Sequence, residues 1–159
     1  MKKLTIILFL VCFSASGFAQ KQLISYDDLR FILHNGLMQA NSFLTAKGYS
    51  VVIKNNNTKN RKYSFTFKDH SYININARSD GKRLFLDIET NYFGQYNLIQ
   101  ESIKQYINND SMLADIQTYE VKDLGNIYIT MKDTQPYNPL TKDYDIQVVS
   151  DRRVTTYNW

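Results

Sequence analysis

Apolar and polar residues alternate on both sides of Asp80-Gly81, and this alternation most constrains the fold. Asp-Gly is a favoured two-residue turn between antiparallel strands. Folding the chain about it gives three pairs that are apolar on both sides: Ala77 with Leu84, Ile75 with Leu86, and Ile73 with Ile88. Since side chains alternate along a strand, these pairs share one face. The pattern therefore predicts a hairpin with one apolar face and one polar face.

The alternation continues upstream and predicts a four-stranded antiparallel meander. A three-residue loop at Asp69-His70-Ser71 would align Phe67 with Ile73 and Phe65 with Ile75. A further strand on the same face is predicted from three alternating residues: Tyr49, Val51 and Ile53.

An amphipathic helix is predicted before the meander. Ser25 can cap its free amides, and Asp27 and Asp28 lie at the positive end of the helix dipole. Lys47-Gly48 provides a C-terminal signal. The apolar positions recur at steps of three and four residues: Leu29, Ile32, Leu33, Leu37, Ala40, Phe43 and Leu44.

The pattern then restarts with a helix predicted over Phe93 to Ile107, whose apolar side comprises Tyr96, Ile99, Ile103, Tyr106 and Ile107. A hairpin around Gly125-Asn126 would pair Val121 with Ile129 and Tyr119 with Met131.

Pro136 and Pro139 are expected to interrupt the chain before a last strand at Tyr144, Ile146 and Val148. The order α-β-β-β-β-α-β-β-β predicts an α+β fold of two degenerate helix-plus-meander units. Its antiparallel sheet carries the helices on one face.

The first nineteen residues read as a secretory signal peptide. Lys2 and Lys3 precede an apolar run over residues 4–13, and Gly17 and Ala19 are the small residues of a cleavage site. We therefore expect cleavage after Ala19 and one α+β domain over residues 20–159, working in a bacterial periplasm or outside the cell. The run is too short for a bilayer, and no later stretch predicts an integral membrane segment.

Composition excludes several functions. Cys12 is the only cysteine, and Val11 before it does not suit a lipoprotein signal. The mature chain would thus have no thiol, and with His34 and His70 as its only histidines we expect neither metal nor cofactor. Without Lys2 and Lys3, 17 of the 19 basic residues remain against 15 acidic ones, a net charge of +2. No basic block is long enough to favour nucleic acid as a partner.

Possible catalytic groups have structural interpretations that we favour. His34 borders the apolar stripe of the first helix, and His70 lies in a predicted turn. Asp87 with Glu89, and Asp143 with Asp145, fit solvated strand faces as well as the acid–base pairs of glycosidases. No nucleophile elbow or glycine-rich phosphate loop is present.

Two surfaces are candidates for partner binding because they combine aromatic residues with arginine, as interface cores do. The first is the polar face of the meander, with Tyr72, Asn74, Asn76, Arg78, Arg83 and Phe85. The second is the C-terminal tail, with Arg152, Arg153, Tyr157 and Trp159.

The sequence favours an exported, non-catalytic protein-binding module of a bacterial envelope, such as an inhibitor, immunity-type or accessory protein. The tandem is similar in outline to small exported inhibitors that bind an enzyme through a sheet, and to chaperone-like α+β domains, although fold does not fix function. The alternative is a small-ligand or glycan binder with tyrosine stacking platforms. A hydrolase, in which a histidine meets a distant acid, is the third hypothesis.

Overall fold

A computed structural model describes residues 22–54, 60–80, 83–108, 116–135 and 138–150, with backbone alone at 53–54, 134–135 and 138–141. The predicted signal peptide lies outside the described residues. So do the four tail residues proposed for partner binding: Arg152, Arg153, Tyr157 and Trp159.

The described chain forms two helices and seven strands in the predicted α+β order. The elements are α1 (Tyr26–Ala46), β1 (Ser50–Lys54), β2 (Asn60–Thr66), β3 (Tyr72–Ser79), β4 (Leu84–Thr90), α2 (Phe93–Ile103), a 3₁₀ turn (Lys104–Tyr106), β5 (Ile116–Val121), β6 (Gly125–Gln135) and β7 (Asn138–Val149). All strands pair antiparallel in one sheet of order β1-β2-β3-β4-β7-β6-β5. The two meanders are therefore joined through β4 and β7.

Helix α1 begins where the sequence predicts, but it is not continuous. Ser25 forms a capping box with Asp28. At Gly36 the backbone adopts φ 75° and ψ 179°, which breaks the helix. The Lys47 ammonium lies 2.8 Å from the Asp28 carboxylate. Nineteen residues of straight helix would span about 28 Å, so the two halves of α1 must turn back on each other at Gly36.

The apolar face of the sheet is buried under α1 and α2, as the alternation predicts. One hydrophobic core contains the predicted strand residues Ile73, Ile75, Leu84 and Leu86, all at most 1% exposed. Five of the seven stripe residues of α1 are buried, and Leu37 and Phe43 pack at the margin of the core. None of the described helices is long and apolar enough to cross a lipid bilayer.

The hairpin between β3 and β4 turns one residue later than predicted. Ala77 pairs with Leu86, and Ile75 pairs with Ile88, so each partner is shifted by two residues. The Arg83 amide donates to the Asp80 carboxylate at 2.6 Å. Asp80 thus occupies the first position of the turn, where aspartate is favoured, rather than one of its two central positions.

The β2–β3 hairpin has the predicted three-residue loop, one position earlier. Phe65 pairs with Ile73, not Ile75. The Phe67 amide donates to the Ser71 carbonyl at 2.8 Å, which leaves Lys68-Asp69-His70 as the loop. His70 takes the left-handed conformation (φ 67°) that closes such loops.

Two other strand pairings also depart from the predicted register. Tyr119 pairs with Ile127 rather than Met131, because the chain turns before Gly125 and the Leu124 amide donates to the Val121 carbonyl. An irregularity in β1 places Ile53 opposite Lys62, so Ile53 does not continue the alternation predicted from Tyr49 and Val51.

Two further boundaries differ from prediction. Helix α2 ends at Ile103, and Tyr106, expected on its buried side, is 36% exposed. Pro139 lies within β7 rather than ending the chain's regular structure. The described β4 pairs with residues 144–149 of β7, so Pro139 lies in a part of β7 that adjoins β6 alone. A proline is tolerated there because an edge segment has no second strand that needs its missing amide hydrogen.

A buried glutamine ties the two units together. Gln95 of α2 is fully buried, and its Nε2 donates to the Ile24 carbonyl at 2.8 Å. The Ile24 amide donates in return to Gln95 Oε1 at 2.7 Å. Both backbone groups of Ile24 thus acquire partners 71 residues away. The start of α1 is thereby fixed against α2.

Replacing Gln95 by Leu should lower the free energy of unfolding by about 2–4 kcal/mol, because both Ile24 backbone groups would stay buried without partners. Urea unfolding measures this effect. Asn97→Leu, at an exposed position of the same helix, should change stability by no more than about 0.5 kcal/mol. Equal effects of the two substitutions would contradict the structural role of Gln95.

Gly36→Ala should destabilise the protein by about 1–3 kcal/mol, because the Gly36 dihedral angles are nearly exclusive to glycine. The matched control is Gln39→Ala, at an exposed position of α1, which should be neutral or slightly stabilising. Undiminished stability of Gly36→Ala in urea would show that α1 does not turn at this residue.

Candidate functional site

The candidate residues of the meander lie together on the side of the sheet opposite the helices, called here the outer face. Tyr72, Asn74, Asn76 and Arg78 alternate along β3. Asn76 pairs with Asp87, and Arg78 pairs with Phe85. Several outer-face side chains, including Arg78, Glu89 and Gln147, are exposed. No described helix lies over this face, and the shift of two residues in the β3–β4 register preserves it.

Phe85 lies between two arginines. The guanidinium carbons of Arg78 and Arg83 are 5.1 Å and 5.5 Å from the centre of its ring, within cation–π range. Arg83 also approaches the Asp80 carboxylate, with Nε 3.4 Å from Oδ2. These contacts hold an aromatic ring and two cations as one cluster at one end of the outer face.

Four carboxylates, those of Asp87, Glu89, Asp143 and Asp145, form a second group further along the outer face. Glu89 of β4 pairs directly with Asp145 of β7, and Asp87 pairs with the neighbouring Gln147. The Asp87 carboxyl is half-buried and lies within hydrogen-bonding reach of Asp145. The interpretation of these residues as solvated strand positions therefore does not hold for Asp87.

Burial raises the pKa of Asp87 to about 7, and the neighbouring Asp145 and Glu89 carboxylates add to the effect. Lys62 opposes it. Asp87 Oδ1 and Asp145 Oδ1 are buried, and apart from a proton shared between the two carboxyls neither receives a hydrogen bond from the described residues. Two ionised carboxylates cannot hydrogen-bond each other, so a proton held by Asp87 is what allows them to lie close together.

Tyr72 connects the meanders at the other end of this group. Its hydroxyl donates to Asp143 Oδ1 at 3.1 Å. Burial, followed by this hydrogen bond to Asp143, raises the pKa of Tyr72 to about 12. Tyr72 is thus a neutral hydrogen-bond donor at physiological pH.

A cavity of about 250 Å³ opens on the outer face beside Asp87. Its wall contains Val52, Lys62, Tyr63, Ser64, Asn74, Ile75, Asn76, Asp87 and Glu89. A smaller cavity of about 160 Å³ lies towards the Phe85 cluster and shares Asn76 and Asp87 with the first. Only Tyr63 among the residues lining the larger cavity is a tyrosine, so this cavity gives no support to tyrosine stacking platforms.

Neither histidine lies on β4 or β7, the strands that carry the carboxylates beside the cavity. His34 is exposed on α1, on the helical side of the sheet. His70 closes the β2–β3 loop, where Ser71 donates two hydrogen bonds to Asp69 and lowers the pKa of that carboxyl. Among the described residues, no group of three or more histidine, cysteine, aspartate or glutamate side chains is arranged to hold a metal ion.

Sequence reasoning missed the importance of Asp87, Asp145 and Lys62. The hairpin pattern places Asp87 on the polar face, but the approach of Asp145 depends on pairing between β4 and β7, which are separated by α2 and two strands. The only sign of this contact in the sequence is that two strands each carry two acidic residues at alternate positions, Asp87 with Glu89 and Asp143 with Asp145.

Stability should fall as pH rises from about 4 to about 7. Asp87 binds its proton more tightly in the folded chain than in the unfolded chain. The stabilisation that this proton provides is therefore complete below the pKa of Asp87 in the unfolded chain. It is lost as pH rises past the pKa of Asp87 in the folded chain. We expect a decrease on the order of 1–2 kcal/mol, because solvent screens a half-buried carboxyl.

Asp87→Asn should remove this part of the pH dependence, whereas Asp123→Asn, in the exposed β5–β6 turn, should retain it. Urea unfolding at pH 5 and pH 8 provides the comparison. A pH response of Asp87→Asn identical to that of the unmodified protein would refute the assignment.

No family model, curated protein or solved structure matches this chain.

Proposed function

We propose that this chain is an exported, non-catalytic protein-binding module of a bacterial envelope, and that its partner docks on the outer face. The class includes inhibitors, immunity-type proteins and accessory proteins. The composition of the outer face and the exposure of its polar side chains support the proposal.

The observation that carries the proposal is the Phe85 cluster. A half-buried phenylalanine ring within cation–π range of Arg78 and Arg83 combines residue types that are enriched in the cores of protein interfaces. Its cations are already positioned by the ring and by Asp80, which reduces the entropy lost when a partner binds.

The same face offers hydrogen-bonding groups for a partner. Arg78, Glu89 and Gln147 are exposed on it and carry a guanidinium, a carboxylate and an amide group. A partner can therefore both donate hydrogen bonds to this face and accept them from it.

A non-catalytic role fits the placement of the titratable groups. The carboxylates lie on the outer face, whereas His34 lies on the helical side of the sheet. The hydrolase hypothesis requires a histidine beside a distant acid, and this pair is separated by the sheet.

Replacing Tyr72, Asn74 and Phe85 together by Ala should abolish capture of the partner from the protein's own envelope fraction. The change in melting temperature should be small, because none of the three belongs to the buried core. Mass spectrometry of the captured material, compared between variants, provides the measurement.

The matched control replaces two exposed apolar residues of the helical side by Ala: Met38, 72% exposed, and Phe93, 59% exposed. This variant should capture the same partner as the unmodified protein. Capture that survives the outer-face variant, or that is lost equally in the control, would overturn the proposal.

The cavity beside Asp87 favours a second candidate function, the binding of a small polar ligand such as a glycan. Its volume of about 250 Å³ and its wall of amide, hydroxyl and carboxylate groups suit a polyhydroxylated molecule. Saturable binding of a neutral saccharide in this cavity would favour this function over a protein partner.

A further inference from the structure

We propose that the larger cavity of the outer face receives an arginine side chain of the partner protein. This inference rests on the proposed function and specifies the chemistry that the partner presents. The cavity, its carboxyl, amide and hydroxyl groups and its apolar margin carry the argument.

The wall of the cavity is rich in hydrogen-bond acceptors. Asp87 and Glu89 contribute carboxyl groups to it, and Asn74 and Ser64 contribute an amide and a hydroxyl group. Ser64 donates its hydroxyl proton to Asn74 Oδ1 at 2.7 Å, so the Ser64 oxygen keeps its acceptor capacity. A guanidinium group has five N–H donors and no acceptor, which complements this wall.

The spacing of the acceptors favours guanidinium over ammonium. Asn74 and Glu89 face each other on adjacent strands, which lie about 4.8 Å apart in an antiparallel sheet, and both line the cavity. The planar fork of arginine can bridge two such acceptors, whereas a lysine ammonium acts as a single point of charge.

The cavity also suits the aliphatic part of arginine. Val52 lies at its margin with 60% of its surface exposed, and Ile75 contributes to the wall. The methylene groups of a long cationic side chain commonly lie along apolar surface of this kind. Burial of Val52 by the incoming side chain would add to the affinity.

The charge of the wall favours a cation. Asp87 and Glu89 line the cavity, Asp145 lies beside Asp87, and Lys62 is the positively charged residue of the wall. Lys62 is exposed on β2, where its long side chain can turn towards solvent. A bound guanidinium would stabilise ionised Asp87 against the repulsion of Asp145 and Glu89.

Binding should therefore release a proton from Asp87. Because its pKa is about 7 in the free protein, the ionised fraction rises about tenfold between pH 6 and pH 8. The affinity for a guanidinium ligand should increase by up to the same factor over this range.

The probes are three blocked tripeptides, acetyl-Gly-X-Gly-amide, in which X is arginine, lysine or citrulline. Citrulline has nearly the shape of arginine but no charge. Two-dimensional ¹H–¹⁵N NMR of the purified protein reports binding at individual amides. The arginine peptide should shift the amides of Asn74, Asn76 and Asp87, with weaker effects from lysine and none from citrulline.

Two substitutions in the wall should have opposite effects. Asp87→Asn should weaken binding of the arginine peptide at least tenfold and remove its pH dependence. Lys62→Gln should strengthen binding, because it removes a competing cation. Asp123→Asn serves as the control for loss of a surface carboxylate, and thermal unfolding of each variant confirms that it is folded.

Equal binding of the citrulline peptide, or binding unaffected by Asp87→Asn, would overturn this inference. Cavity amides that respond to methyl glucoside but not to the arginine peptide would also overturn it, in favour of a small-ligand site. If Asp87→Asn retains partner capture while the outer-face variant loses it, only the arginine assignment fails. If both variants retain capture, the proposed function fails as well.

Discussion

Pairing between β4 and β7 is the interaction on which the rest of the structure depends, because it joins two meanders into one sheet. Ile88 faces Ile146 and Leu86 faces Val148 across this pairing, and all four side chains are at most 1% exposed. A four-stranded or three-stranded sheet would leave much of its apolar face in water. Joined, the two halves share one core, and α1 and α2 can cover it together. Gln95 then fixes the two units by bonding both backbone groups of Ile24.

The same pairing determines the chemistry of the outer face. Side chains alternate along β4 and β7, so burying Ile88 and Ile146 directs Asp87, Glu89 and Asp145 to the opposite side. Hydrophobic burial on one face thereby holds like charges together on the other. The sequence pattern was sufficient to place Tyr72, Asn74, Asn76, Arg78 and Phe85 on this face. It could not predict that Asp145 would approach Asp87, because that contact depends on strands far apart in the chain.

The sequence predicted which side chains share a face more reliably than which residues pair. Three hairpins turn one or two residues from their predicted positions, and each partner shifts by an even number of residues. An even shift keeps every apolar side chain in the core, so burial does not distinguish these registers. Turn hydrogen bonds decide among them, as the Asp80 carboxylate does for β3 and β4. The break at Gly36 was missed for a related reason: the apolar stripe of α1 keeps helical spacing on both sides of it.

Residues 138–143 of β7 extend past the end of β4, and among the described strands they adjoin β6 alone. A free strand edge of this kind is a template on which identical chains can add strands and polymerise. Pro139 lies in this segment and has no amide hydrogen to give to an incoming strand. The proline that sequence patterns mark as an interruption is therefore compatible with the strand, and it leaves this segment one backbone donor short for pairing with another chain.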